Sequence, residues 1–280
     1  MGVSIDLSLG ITKIWEADEG FQTDCLRGIL TQIRHHSNEE ISEMHFNYLK
    51  SQGAFFVHND DYMVEYFGES IKDANFGIYT SFGRCTLAGR LAIPIRLFDD
   101  TVLGFIGYSN KPEDLDASAV FIKYLYPPKA IFNKGRYFYI TPQEYKKAVE
   151  DGYICIVDGI FDKIILQCLG INAVSLCGSS LTQWHKYYLS FIKHKVVVAD
   201  NDLAGRKLAS YCKYSLPDCV EILQADAGDI DSLLRSDSAL KNFMNCFEQM
   251  KQEDFILSHR LPSPGKYKKV NNINNTGGAK

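Results

Sequence analysis

From residue 141 onward, short β-branched apolar runs alternate with segments whose apolar positions recur every three to four residues. Tyr153 to Val157, Asn172 to Leu176, Val196 to Ala199 and Cys219 to Leu223 read as buried strands. Phe161 to Leu169 and Leu181 to Phe191 read as helices between them, as does the segment around Gly205 with apolar Leu203, Leu208 and Tyr211. Thr141-Pro142 places a capping residue before a proline at the first helical position, so a further helix runs from there to about Glu150. Strand–helix alternation at this pace predicts an α/β fold, a parallel sheet with right-handed crossovers and helices on both faces. A last helix, about Asp237 to Met250, aligns Leu240, Phe243, Met244 and Phe247.

The upstream half follows no such rhythm and predicts a mixed α+β region. Phe21 to Arg34 reads as a helix ended by His35-His36, and Ser37 to Glu40 has capping-box spacing for a helix carrying Ile41, Met44, Tyr48 and Leu49 that ends at Gly53. Ala54 to Val57 and Tyr62 to Phe67 read as short β runs, and Arg90 to Phe98 with Val102 to Tyr108 as a β-hairpin turning at Asp99-Asp100-Thr101. The chain thus divides into an N-terminal helical segment (1–40), a mixed subdomain (41–150), the alternating region (151–235), a C-terminal helix (236–262) and a tail rich in Pro, Gly, Lys and Asn that reads as disordered (263–280).

Composition leaves this picture standing. The 280 residues are 46% hydrophobic and 23% charged, ordinary for a globular protein. No apolar run has membrane-spanning length and no signal peptide is visible, so a cytoplasmic protein is expected. The 8 cysteines form no Cys-x-x-Cys pair and fit no zinc module, so they read as reduced and structural. The net charge of −4 hides a local concentration of cations. Residues 84–136 carry Arg84, Arg90, Arg96, Lys123, Lys129, Lys134 and Arg136, with Asn133 and several Tyr and Phe between them. That region reads either as a solvated mixed-charge surface or as a groove that holds a phosphate backbone with aromatics near its bases.

The candidate chemistry lies at strand ends. Asp200-Asn-Asp202 directly follows the Val196–Ala199 run, and ligands of parallel sheets bind beyond the strands' carboxyl ends. Two acids there suit a hard divalent cation; equally, Asp202 suits the cap of the next helix. Asp158 ends the first strand of the alternating region, and Asp229 and Asp231 follow the fourth. Acids converging on one edge repel unless cations neutralise them, and the reaction class this serves is phosphoryl or nucleotidyl transfer.

The series Asp158-Gly-Ile-Phe-Asp162, Leu176-Cys-Gly-Ser-Ser-Leu-Thr182, Asp200-Asn-Asp202-Leu-Ala-Gly205 and Gly228-Asp-Ile-Asp231 resembles the TOPRIM module of DnaG-type bacterial and phage primases. Upstream, Tyr48-Leu-Lys-Ser-Gln-Gly53, Gly89-Arg90-Leu-Ala-Ile-Pro94-Ile, Gly104-Phe-Ile-Gly107, Lys123-Tyr-Leu125 and Ile131-Phe-Asn-Lys134-Gly135 resemble that family's elements in order. The resemblance, over about residues 45–235, implies a TOPRIM-like parallel sheet behind a basic subdomain that binds template and nucleotide. It implies Mg2+ or Mn2+ held by Asp158, Asp200, Asp202, Asp229 and Asp231, with Asp158, Asp200 and Asp202 catalytic and no zinc. Asp162, Gly159 and Gly205 would support the site. Arg90, Lys123 and Lys134 would contact template or nucleotide phosphates; charge and proximity add Arg84, Asn133 and Arg136. Asp158 stands where the family has glutamate, and Ile160 where it has an aromatic residue. The implied activity is template-directed synthesis of RNA primers from NTPs on single-stranded DNA, in a bacterial or phage-infected cell. Zinc-binding and helicase parts are not seen, so a replicative helicase and a separate template-recognition module are expected partners, whether the chain is a catalytic fragment or a small phage protein. The alternatives are another TOPRIM enzyme, nuclease or topoisomerase-like, and a non-catalytic nucleic-acid-binding protein.

Overall fold

Two four-stranded sheets of opposite character carry the chain. The structure, a computed structural model, describes residues 5–34, 39–73, 76–110, 121–178, 180–217, 219–223, 230 and 237–251. The first sheet is antiparallel, in the order β1 (Phe55–Val57), β2 (Arg90–Arg96), β3 (Val102–Tyr108), β4 (Tyr124–Leu125). β2 and β3 form the expected hairpin, with Ile93 opposite Ile106, a register shift at Ile95/Arg96, and Asp100 at φ 68° in the turn. Successive β2 residues face opposite sides. Leu91, Ile93 and Ile95 enter one core, with Leu26 of α1 (Leu7–Arg34) and Leu49 of α2 (Glu39–Ser51). Ala92 enters another with Phe55, Phe105 and Met63.

Two expectations for this half need correction. Tyr62 to Phe67 is not a strand but helix α3 (Tyr62–Phe67). The Asn59 side chain accepts from the backbone N–H of Asp61 and Tyr62, both at 3.0 Å, and turns the chain into a helix. A six-residue apolar run carries too few periods to tell the two states apart. The first helix begins at Leu7 rather than near Phe21 and kinks at Asp18 (φ −124°). Gly10 weakens the helical signal there, yet a Cβ at that position would lie 2.3 Å from the Phe67 ring, so the glycine admits α3. The Asp18 carboxylate accepts from the Tyr62 and Tyr66 hydroxyls at 2.9 and 2.6 Å, which binds the kink to α3.

The second sheet is parallel, as the alternation predicts, in the order β6 (Ala173–Ser175), β5 (Tyr153–Val157), β7 (His194–Ala199), β8 (Cys219–Leu223). Helices α5 (Ile160–Cys168), α6 (Gln183–Leu189) and α7 (Leu203–Ser215) make the crossovers. The first crossover runs from β5 outward to β6 and the next two run back across the sheet, so right-handedness puts α5 on one face and α6 and α7 on the other. The cores agree. Ile160, Phe161 and Ile164 of α5 pack with Leu91, Ile106 and Tyr108 of the antiparallel sheet. Leu189 of α6 and Leu208 and Cys212 of α7 pack with Ile154, Ile156 and Val197. Helix α5 is therefore the layer between the sheets. Helix α4 (Pro142–Asp151) precedes β5 and starts with a full capping box between Thr141 and Glu144. The last described helix is α8 (Asp237–Met250). The chain divides into compact units after Phe243; of the second unit the described part is the end of this helix, where Lys251 pairs with Glu248 at 3.2 Å. None of the 8 cysteines is in a disulfide. No helix among the described residues is long and apolar enough to cross a membrane. Ser37, Asp229, Asp231 and the 263–280 tail lie outside the described residues.

A buried ion pair ties the two sheets together. Lys163 of α5 has no exposed side-chain surface, and its ammonium lies 2.7 Å from the Glu144 carboxylate. The Tyr48 hydroxyl donates to Glu144 at 2.7 Å and accepts from Lys163. Burial lowers the Lys163 pKa, and Glu144 opposes that shift. Burial raises the Glu144 carboxyl, but Lys163, the Thr141 N–H and the Tyr48 hydroxyl together outweigh it and leave the carboxyl below its ordinary range. Removing one member of such a pair strands a buried charge, whereas removing both need not. Lys163→Met is expected to cost about 3–5 kcal/mol in urea unfolding, and Lys163→Met/Glu144→Leu to recover most of it; equal losses would show that packing, not charge, holds the junction.

Helix α6 has an unusual cap. His185, fully buried, accepts the Thr182 N–H through Nδ1 at 3.3 Å and meets the Tyr137 carbonyl through Nε2 at 3.1 Å. One nitrogen accepts and the other donates, which only the neutral ring can do. Burial lowers the His185 pKa below 6.5. The unfolded chain then takes up a proton that the fold refuses, so stability is complete above about pH 6.5 and declines as pH falls toward the folded value. His185→Gln is expected to flatten the melting temperature between about pH 7 and 5, measured by circular dichroism.

Candidate metal centre

Adjacent strands bring the acids together. β5 and β7 are paired, so Asp158 after β5 and Asp200 after β7 emerge side by side. Asp162, in the first turn of α5, joins them, and the three carboxylates each place an oxygen within 4.8 Å of the others. The sequence alone gave Asp162 only a supporting role. Its signal was its place three residues past Gly159, the α5 cap, where a helix N-terminus favours a carboxylate.

Two glycines make the closeness possible. A Cβ on Gly205 would lie 2.1 Å from the Asp200 carbonyl oxygen and 2.8 Å from its nitrogen, so the first turn of α7 rests directly on the Asp200 backbone. A Cβ on Gly159 would lie 2.1 Å from Asp162 Oδ2. Behind them, the Ser175 hydroxyl donates to the Asp158 carbonyl at 2.8 Å and the Gly178 N–H donates to it at 3.1 Å. Cys177, between them, takes φ 55°.

Asp202 does what the capping alternative requires: it accepts the Gly205 N–H at 2.7 Å. Its charge still reaches the site. Burial raises the Asp158 carboxyl and the Asp202 carboxylate raises it further, while backbone N–H groups oppose both. A carboxyl pushed up by burial and a like charge marks a place where positive charge is lacking. Oxygen ligands at this spacing fit a divalent cation.

The basic subdomain meets this edge through Tyr126, on whose ring Lys134 rests. Its ammonium lies 3.2 Å from the centroid of the Tyr126 ring, which stacks on Phe132 at 6.2 Å. Tyr126 also bonds Cys177 and feels the charge of Asp158; burial is the main cause of its raised pKa. Burial lowers the Lys134 pKa. The exposed Lys123 ammonium lies 5.6 Å from the Tyr124 ring, and Tyr124 feels the charge of Asp162. Arg90 donates to the Ile122 carbonyl at 2.9 Å and so holds the segment that carries Lys123, just before β4. Asn133 is engaged by its own turn, accepting the Gly135 N–H at 3.0 Å. Arg136 lies 5.8 Å over the Trp184 ring of α6. Arg84 sits in an exposed turn closed by Thr80, and no contact among the described residues joins it to the acids.

Comparison with known proteins bears on the fold that carries these residues. A Toprim-like family profile matches residues 155–234, the stretch that carries β5 through β8. The chain is 34% identical over 121 residues to the DNA primase of Aquifex aeolicus, covering 42% of this chain and 23% of that protein. It is 26% identical over 175 residues to the DNA primase of Thermotoga maritima, covering 60% of this chain and 29% of that protein. It thus spans about a quarter of the length of the curated relatives it matches. Among solved structures it superposes on the RNA polymerase domain of Mycobacterium tuberculosis primase DnaG in complex with a double-stranded DNA oligomer with a 6-nucleotide overhang, with TM-score 0.60, 18% identity, and 88% and 81% of the two chains covered. Residues 155–234 are a Toprim-like domain, and the fold is that of a DnaG-type catalytic core.

Asn caps helices as well as Asp does but carries no charge. Asp202→Asn is therefore expected to leave the melting temperature unchanged and to weaken Mn2+ binding about tenfold or more, read by electron paramagnetic resonance. Asp202→Ala is expected to lose about 1 kcal/mol of stability as well. Unchanged Mn2+ affinity in the Asn variant would leave Asp202 a cap alone.

Proposed function

We propose that this chain is the catalytic core of a DNA primase, adding nucleotides to a growing RNA primer on a single-stranded DNA template. The observation that carries this reading is the cluster of Asp158, Asp162 and Asp200 at the edge of the parallel sheet, with Lys134 on the ring of Tyr126, which itself feels the charge of Asp158. A divalent cation held there, Mg2+ or Mn2+, would neutralise the charge that develops as a 3′-hydroxyl displaces pyrophosphate from an α-phosphate. Asp158, Asp162 and Asp200 supply the ligand oxygens, with Asp202 as a further acid of the same edge; the resemblance to TOPRIM primases adds Asp229 and Asp231. Lys134 binds phosphate oxygens of the incoming nucleotide, and Lys123 the template backbone along the basic subdomain, residues 41–150. Arg90 positions Lys123. Arg136 and Arg84 are outer contacts to the strand, and Asn133 shapes the turn that presents Lys134. Catalysis is then positioning and charge neutralisation, with no side-chain nucleophile. A helicase and a separate template-recognition module are its partners, and the cytoplasm of a bacterial or phage-infected cell its setting.

The test is incubation with single-stranded DNA, labelled NTPs and Mg2+ or Mn2+. Short RNA products are expected. Asp200→Asn is expected to reduce them at least about a hundredfold while the fold melts as before. Lys134→Ala is expected to raise the KM for NTP with Mn2+ affinity unchanged. DNA cleavage without synthesis would overturn the primase reading in favour of a nuclease, and absence of both activities in favour of a binding protein.

A further inference from the structure

Between Asp162 and Asp218 the only acidic residues are Asp200 and Asp202, in a chain of net charge −4. The outer surface of α6 and α7 lies inside that stretch. It holds Lys186, Arg206, Lys207 and Lys213, with no carboxylate on either helix. Large aromatic side chains stand out from it. Tyr214 is 90% exposed, Tyr187 56% and Tyr211 45%.

These groups form a track rather than a scatter. Leu203, Lys207, Tyr211 and Tyr214 recur at four, four and three residues, so they share one stripe of α7. Lys186 reaches across from α6, its ammonium 5.1 Å from the Tyr211 ring and 3.5 Å from the Tyr211 hydroxyl. An open groove of about 930 Å³ runs between Ser180, Asp202, Leu203, Lys207 and Tyr211. A second, of about 450 Å³, continues over Arg206, Lys207 and Tyr214. Lys207 and Tyr211 line both, so the track begins at Asp202, beside the acid cluster, and ends at Tyr214. From Leu203 to Tyr214 it measures about 16 Å at 1.5 Å per residue.

We propose that this track on α7 is a contact surface for single-stranded nucleic acid, guiding a strand as it leaves the acid cluster. Cations spaced between exposed rings match a chain of phosphates spaced between bases, and ring–base stacking tolerates any sequence. An apolar protein partner needs no such run of cations. The proposal rests on the reading above in taking the strand to be nucleic acid, but its test needs neither metal nor catalysis.

The test is fluorescence anisotropy of a labelled oligothymidylate with the full chain in EDTA, at several salt concentrations. Tyr211→Ala/Tyr214→Ala is expected to weaken binding about tenfold or more, and Lys207→Ala to reduce the slope of log K against log salt by about 0.7. Tyr214→Phe, which keeps the ring, is expected to bind like the parent. Parental affinity and slope in the Ala variants would overturn the proposal, as would a parent chain that binds no oligothymidylate. If Lys134→Ala weakened binding while the α7 variants did not, the surface would fall and the primase reading would stand. If the α7 variants weakened binding but the parent made no primers, the reverse would hold. A dimer abolished by the α7 substitutions, with oligothymidylate affinity unchanged, would overturn the proposal in favour of a protein interface.

Discussion

The ammonium of Lys163, buried without exposed surface between two sheets, sets the condition that the rest of the molecule meets. A lone charge there would be far too costly to keep, so Glu144 of α4 and Tyr48 of α2 are drawn to it. Two elements from distant parts of the chain are thereby fixed on α5. That helix carries Asp162 one residue before Lys163 and starts at Gly159, directly after Asp158. The interaction that joins the two halves therefore also fixes two of the three clustered carboxylates. The site stands on the junction, not on a mobile loop.

Electrostatics on the two sides of the sheet edge are opposed, and the opposition is built into the chain order. The acids come from turns directly after β5 and β7, which a parallel sheet must present at one edge. Lys134 comes from the segment just upstream of α4 and rests on the Tyr126 ring, which stacks on Phe132 and feels the charge of Asp158. The face of the Tyr126 ring attracts the charge of Lys134.

The Asp158 and Ile160 departures from the family pattern acquire a physical setting. Asp158 is shorter than a glutamate, but the carboxylate of Asp162 lies within reach of the same point. Ile160 is fully buried, in the core that α5 shares with the antiparallel sheet, so its place is packing rather than chemistry. Of the two roles offered for Asp202, the structure shows the cap, together with an effect on its neighbour. It caps α7, and its charge also acts on Asp158.

What the sequence determined by itself was local and periodic. The βα alternation after residue 141, the Thr141-Pro142 start, the 90–108 hairpin and the strand-end acids were all legible, because period, caps and turn residues act over a few neighbours. The short run 62–67 was misread and the first half of α1 missed, because six residues do not define a period and Gly10 is present for the Phe67 ring rather than for the helix. Tertiary structure alone decided the partners of long-range groups. It paired Lys163 with Glu144 nineteen positions away and with Tyr48 across 115. It also moved Asp162 from support to the acid cluster, and set Lys134 on the Tyr126 ring. Contacts of that kind depend on where the sheets bring distant segments together, and no local pattern in the chain encodes them.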